Sequence, residues 1–182
     1  MNKQTELDKI AVEIANCTEC KIGKIGLPVP GEGSPDAKIM FIGEAPGKQE
    51  AKTGRPFIGR SGQLLRKLIR ESGLKEEDVY ITSPVKYLPE RGTPTPADIE
   101  HAHIHFDKQV EVINPRVMVL LGNVAIQGAL KEKLSVTKEH GKVIERNGRK
   151  YFITFHPAAG LRFPPLKKLI EEDFKKLPSI IK

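Results

Sequence analysis

The sequence predicts an α/β fold: a three-layer α/β/α sandwich around a central four-stranded, mostly parallel sheet. Two observations carry that prediction. Four short apolar runs, each fit for a strand buried on both faces, alternate with segments whose apolar residues recur at helical spacing. Gly, Pro and Asn-Gly punctuation falls between them.

In chain order, Leu7, Ile10, Ala11 and Ile14 place a helix over residues 5–16, and a Gly/Pro-rich loop follows from Gly23 to Pro35. The run from Lys38 to Gly43 reads as a buried strand, and Glu44 to Gly47 as a loop. Ser61 is expected to cap a helix carrying Leu64, Leu65, Leu68 and Ile69, with Gly73 as its stop. Val79 to Thr82 is a second strand. Pro94 and Pro96 precede a helix with the stripe Ile99, Ala102, Phe106, Val110 and Ile113, which Asn114-Pro115 ends. Val117 to Leu121 is a third strand ending at Gly122, and a short helix follows around Val124 to Leu130. Asn147-Gly148 predicts a hairpin whose second arm, Arg149 to Phe155, is the fourth core strand and ends at His156-Pro157. Leu166, Leu169, Ile170 and Phe174 mark a last helix. Ligands of open parallel sheets bind beyond the carboxyl ends of the strands, which singles out the loops starting at Gly43, Ser83, Gly122 and His156.

A length of 182 residues suits one domain, 1–182. No apolar stretch is long enough to span a membrane, and Met1 to Lys9 lacks the apolar core of a secretory signal. The expected place of action is therefore the cytoplasm, with the DNA of the nucleoid. The 30 Lys and Arg against 23 Asp and Glu leave a net charge of +7, which favours polyanions, nucleic acid first. The two cysteines, Cys17 and Cys20, form a Cys-x-x-Cys pair, which outside an oxidising compartment points to metal or redox chemistry and supplies half of a four-ligand site.

Three separated segments carry a resemblance: Gly43-Glu44-Ala45-Pro46-Gly47-Lys48-Gln49-Glu50 continuing through Gly54 to Gly62, then Val85-Lys86 with Thr93 to Pro96, then His156-Pro157-Ala158-Ala159 with Arg162. In that order the chain resembles the family 4, iron–sulfur type, uracil-DNA glycosylases. The resemblance implies an α/β/α sandwich and a monofunctional hydrolase that flips uracil out of DNA and starts base-excision repair. It departs in three places. Tyr87 and Ala102 stand where two of the family's four cluster cysteines are expected, Ser83 stands where an asparagine pairs with uracil, and the last motif reads Gly160-Leu161-Arg162.

The resemblance assigns His156 to the uracil carbonyl on which negative charge develops, against the plainer reading of a loop histidine before a proline. Phe57 offers a stacking face worth about 1–3 kcal/mol, or else anchors its loop from the core. Gly43, Glu44, Ala45, Pro46 and Gly47 would line the sugar and the attacking water. Ala45 stands where better-studied relatives use an aspartate, leaving Glu44 and Glu50 as the nearby carboxylates, with Glu50 ordering the water or the loop. Ser83, shorter than asparagine and with one hydroxyl, predicts weaker uracil discrimination or tolerance of another deaminated base such as hypoxanthine. Arg60 and Ser61 at a helix start are candidates for a DNA phosphate, and Leu161 with Arg162 for the loop that enters the minor groove.

Of the three histidines on the predicted helix, His101 and His105 fall opposite the apolar stripe and are expected in solvent, whereas His103 falls on it. Cys17, Cys20 and His103 are thus three ligands of a rebuilt site, or two reduced thiols and a core histidine, with Tyr87 filling the cluster's volume. No cofactor is expected for the chemistry, and two cysteines argue against a [4Fe–4S] cluster. The expected partners are DNA with uracil or another deaminated base and, as a candidate, a sliding clamp; the chain is expected to work as a monomer. The competing classes are a non-catalytic binder of damaged DNA and a nucleotide-binding enzyme, the latter disfavoured by the missing Gly-x-Gly-x-x-Gly turn.

Overall fold

The computed structural model describes residues 2–181; Met1 and Lys182, the two ends of the expected 1–182 domain, lie outside the described residues. Helix α1 (Lys3–Asn16) starts at Asn2, whose side chain accepts from the Gln4 N–H, and buries Leu7, Ile10 and Ile14. The inner sheet consists of the four expected strands, β3 (Ile39–Ile42), β4 (Val79–Thr82), β6 (Val117–Leu121) and β8 (Arg149–Thr154). They run parallel, with Phe41 beside Ile81 and Val119, and Leu120 beside Ile153.

The sheet is wider than four strands and mixed. Its order is β2-β4-β3-β6-β8-β7, with β2 (Glu32–Gly33) and β7 (Val143–Arg146) as antiparallel edges. The hairpin supplies β7, with Asn147 and Gly148 both at positive φ, as its two-residue turn requires. β2 comes from the Gly/Pro-rich loop, where no apolar alternation signals a strand. A Cβ on Gly33 would lie 2.0 Å from the Val79 carbonyl oxygen, so only glycine fits this edge. A separate ribbon pairs β1 (Lys24–Ile25) with β5 (Leu88–Pro89).

Helices cover both faces. α4 (Pro96–Ile113) begins with a Thr95/Asp98 capping box and packs with α1 and α5 (Asn123–Leu130). On the other face α3 (Arg60–Glu71) packs with α7 (Pro157–Arg162) and α8 (Pro164–Phe174), and Phe174 of α8 stacks on Phe41 with ring centres 6.0 Å apart. Three short helices, α2 (Glu50–Thr53), α6 (Val136–Glu139) and α9 (Leu177–Ile181), complete the elements used below. The expected Ser61 cap is corrected: the backbone turns helical at Arg60, so Gly59, still extended, holds the N-cap position of α3 and Ser61 lies inside the first turn; the Gly59 N–H is taken by Glu50.

Asp173 ties the last layer to the sheet. It is 1% exposed, accepts from the Thr154 hydroxyl at 2.8 Å, and lies 3.1 Å from His140 Nδ1 and 3.2 Å from Lys176 Nζ. Asp173→Ala strips a buried hydroxyl and two cationic or polar partners of their acceptor. It is expected to lower the unfolding free energy by about 3 kcal/mol; a urea midpoint unchanged from the parent protein contradicts this.

Candidate active site

A cavity of about 550 Å³ opens at the carboxyl ends of the parallel strands. The loops after β3, β4 and β8 bring Glu44, Ser83 and His156 to its wall, and the segment before α3 adds Phe57. The fourth expected loop does not reach it: Gly122 sits behind His156, where an added Cβ would lie 3.3 Å from the His156 Cβ. Gly43 lies behind the wall rather than in it, packed against two wall residues. A Cβ there would fall 2.4 Å from the Phe57 ring and 2.9 Å from the Ser83 hydroxyl.

Phe57 is held in the left-handed region at φ 51°, an uncommon conformation for a bulky residue. Three neighbours impose it. Glu50 Oε1 accepts from the N–H groups of Ile58 and Gly59, both at 2.8 Å. Arg66 donates from Nε to the Phe57 carbonyl and from Nη2 to the Pro56 carbonyl, both at 3.0 Å. Gly62 packs so tightly that a Cβ would lie 2.0 Å from the Phe57 carbonyl carbon. Arg66 is itself fixed by Glu32 at 2.5 Å and Glu76 at 2.8 Å. Burial alone would raise both carboxyls; hydrogen bonds from Arg55 and Arg66 to Glu32, and from Arg66 and Arg70 to Glu76, hold them below the usual carboxylate range.

The His156 ring stacks against Phe57 at 5.7 Å and 28°. His156 is also the N-cap of α7: its Nδ1 accepts from the Ala158 N–H at 3.2 Å. That contact fixes the tautomer, so the neutral ring carries its proton on Nε2. Burial pushes the imidazole down to about 4, against the opposing pull of the Glu50 charge. Glu44, half-buried at the cavity wall, has its carboxyl raised by burial. Ser83 is braced from behind by Lys86, whose ammonium donates to the Ser83 carbonyl at 2.7 Å, the Thr82 hydroxyl at 2.8 Å and Gln109 Oε1 at 2.6 Å.

Ala45, Pro46, Gly47, Ser61 and Arg162 also line the cavity. Arg60 and Leu161 are exposed and lie outside its wall. Lys48 of the first motif is exposed at the mouth, and four wall residues belonged to no motif: Val29, Leu88, Gly92 and Phe163, the last an aromatic ring left 58% exposed beside Arg162. The exposed aromatic adjoining the last motif was the available signal for Phe163.

Behind the Ser83 loop lies a second group, and here the histidine reading is corrected. Cys17, Cys20, His101 and His105 place their ligand atoms within 4.8 Å of one another. His103 turns away, with Nδ1 3.2 Å from Asp107. The buried arc of α4 includes His105 and Gln109 as well as the apolar stripe, because α1 packs on that flank. His101 and His105, one turn apart, therefore face the cysteines at the end of α1 rather than solvent. A [4Fe–4S] cluster takes four thiolates, one for each iron. This group offers two, and the buried Tyr87 donates its hydroxyl to the Ile14 carbonyl at 3.3 Å. The donor set does not fit that cluster.

The family model described as the uracil DNA glycosylase superfamily matches residues 30–177. The chain is 42% identical to the type-4 uracil-DNA glycosylase of Thermotoga maritima, over 100% of this chain and 98% of that one. It is 40% identical to the type-4 enzyme of Archaeoglobus fulgidus, over 94% and 91% of the two chains. It is 31% identical to the type-5 uracil-DNA glycosylase of Pyrobaculum aerophilum, over 73% and 66%.

Glu50→Ala removes the shared acceptor of two backbone N–H groups that hold the Phe57 loop. The amides of Ile58 and Gly59 are expected to exchange hydrogen at least roughly tenfold faster while the strand amides stay protected. Unchanged exchange at those two positions would show that Arg66 and Gly62 suffice.

Proposed function

Since the chain belongs to the uracil DNA glycosylase superfamily, we propose that its cavity receives a uracil flipped out of DNA and hydrolyses the bond joining base to sugar. The observation that carries this reading is a neutral His156, its Nδ1 occupied by the Ala158 N–H and its ring beside Phe57. As the glycosidic bond lengthens, electrons move onto the base. The Nε2–H of His156 donates to the carbonyl that gains charge, and a donor already in place needs no reorganisation. The base stacks at Phe57, while the sugar, left cation-like, meets water from the side of the Glu44 to Gly47 loop.

The two carboxylates divide the remaining work. Glu50 has one oxygen committed to two backbone donors, so its task is to shape the loop. Glu44, at the wall and raised by burial, is the group left to orient the attacking water, since Ala45 has no side chain for it. The water oxygen bonds to the anomeric carbon, its proton passes to Glu44 and on to solvent, and uracil departs as the anion held by His156. Lys48, Ser61, Arg162 and the exposed Phe163 face the DNA at the mouth, where a net charge of +7 favours its approach. Among the described residues no helix is long and apolar enough to cross a membrane; the cytoplasm, where DNA is reached directly, is the proposed place of action.

A second reading, altered base choice, rests on Ser83. One hydroxyl cannot present the donor and acceptor pair of an amide to the edge of uracil. Ser83→Asn is expected to raise the preference for uracil over hypoxanthine by roughly tenfold, as one well-placed hydrogen bond does. Competition between oligonucleotides carrying each base measures it, and equal selectivity in both proteins removes Ser83 from the specificity argument.

Release of uracil from a labelled oligonucleotide, read as alkali-sensitive abasic sites, tests the main reading. His156→Ala is expected to lower the single-turnover rate by about 10²–10³-fold. Because burial lowers the imidazole to about 4, its neutral, donating form persists from neutral pH down to that value. The acid limb due to His156 should therefore lie near pH 4, and a limb near pH 6.5 that vanishes in the variant would contradict the assignment.

A further inference from the structure

The four side chains behind the Ser83 loop come from two short spacings, Cys17-x-x-Cys20 and His101-x-x-x-His105, the first on a turn and the second on one face of α4. His101 Nε2 lies 3.3 Å from both Cys17 Sγ and Cys20 Sγ. One imidazole nitrogen carries a single proton or a single lone pair, so it cannot satisfy two sulfurs by hydrogen bonding. A tetrahedral zinc ion with bonds of about 2.3 Å to sulfur and 2.0 Å to nitrogen separates neighbouring ligand atoms by roughly 3.3–3.8 Å. The two sulfur–nitrogen separations match ligands around one point, and the four ligand atoms all lie within 4.8 Å of one another. A multi-iron cluster spreads its ligands around a larger body.

An independent observation points the same way. Both ring nitrogens of His105 are buried without a hydrogen-bond partner, a deficit of about 1–3 kcal/mol for each polar group so left. A metal bond from one nitrogen removes half of that deficit, and the Glu13 carboxylate stands 3.8 Å from Nδ1. The other histidine already has its outer support: Glu19 Oε2 lies 3.3 Å from His101 Nδ1, which leaves Nε2 aimed at the sulfurs. Two thiolates and two neutral imidazoles around a divalent ion sum to zero charge, which suits a half-buried place.

We infer that Cys17, Cys20, His101 and His105 bind a single zinc ion in a closed, structural site. With four protein ligands it leaves no open position for chemistry. It clamps the end of α1 and the turn Glu19–Lys21 onto α4, and Pro84 to Lys86, which follow Ser83 directly, line the same pocket. The ion thus steadies the segment that carries Ser83 without touching the base.

The test is elemental analysis of protein produced in medium containing both iron and zinc and purified without oxygen. The expected result is one zinc per chain, no stoichiometric iron and no inorganic sulfide. X-ray absorption at the zinc edge of the unmodified protein should give two sulfurs at about 2.3 Å and two nitrogens at about 2.0 Å. His101→Ala with His105→Ala should lose the ion, whereas His103→Ala should keep it. Metal removal by a chelator should lower the Tm by roughly 5–10 °C. Stoichiometric iron with sulfide, a four-sulfur shell, protein free of any metal, or zinc retained by the double histidine variant would each overturn the inference.

Discussion

The left-handed backbone of Phe57 is the constraint on which the cavity depends. A bulky residue at φ 51° costs of order 1–3 kcal/mol and persists only where its surroundings over-determine it. Here they do so from three directions: the Glu50 carboxylate on the next two N–H groups, the Arg66 guanidinium on two carbonyls, and the bare Cα of Gly62 against the Phe57 carbonyl. Two parts of the chain must be in place first. Glu50 depends on the loop after β3, and Arg66 and Gly62 on α3. The ring then fills the space that the absent side chain of Gly43 leaves open, and His156 packs on it. A single backbone conformation thereby joins the first and last motifs, which are distant in sequence.

The sheet sets where those motifs meet. Parallel strands deliver their carboxyl ends to one edge, and the buried polar groups lie just behind it. Lys86 is held by three oxygens within 2.8 Å while burial pushes its ammonium down to about 7. Its reach to the Thr82 hydroxyl and the Ser83 carbonyl fixes the end of β4 in a way that an apolar side chain cannot. The same lysine borders the pocket of Cys20 and His101, so the cavity wall and the cysteine–histidine group share one supporting segment.

The inner strands, the long helices and the hairpin were legible because each rests on local periodicity or turn chemistry. Val117 to Leu121 and Asn147-Gly148 need no tertiary context to be read. The β2 edge was not legible, since its pairing depends on glycines fitting against β4 rather than on any apolar pattern. His156, Phe57, Ser83 and Glu44 could be named from motif positions, but what holds them could not: Arg66 and Lys86 act over distances that spacing does not encode. The histidines of α4 failed for a different reason. A stripe of apolar residues defines a helix face only when the buried arc is apolar throughout, and here His105 and Gln109 extend it toward α1. Counting hydrophobic positions placed the arc one flank too far, which exchanged His103 for His101 and His105.

Burial unites the stability of the site with its chemistry. A protonated imidazole at His156 would sit in an environment that opposes charge, so the ring stays neutral well below its ordinary range. In the proposed reaction the leaving base carries the charge, and a neutral donor strengthens its hydrogen bond selectively as that charge develops, whereas a cation would already bind the uncharged base tightly and so gain less in the transition state. The N-cap contact from Ala158 then decides which nitrogen donates. Glu50, whose charge would draw a proton onto His156, is partly satisfied by Ile58 and Gly59. The carboxylate that shapes the Phe57 loop still pulls a proton toward His156, and burial of the ring outweighs that pull.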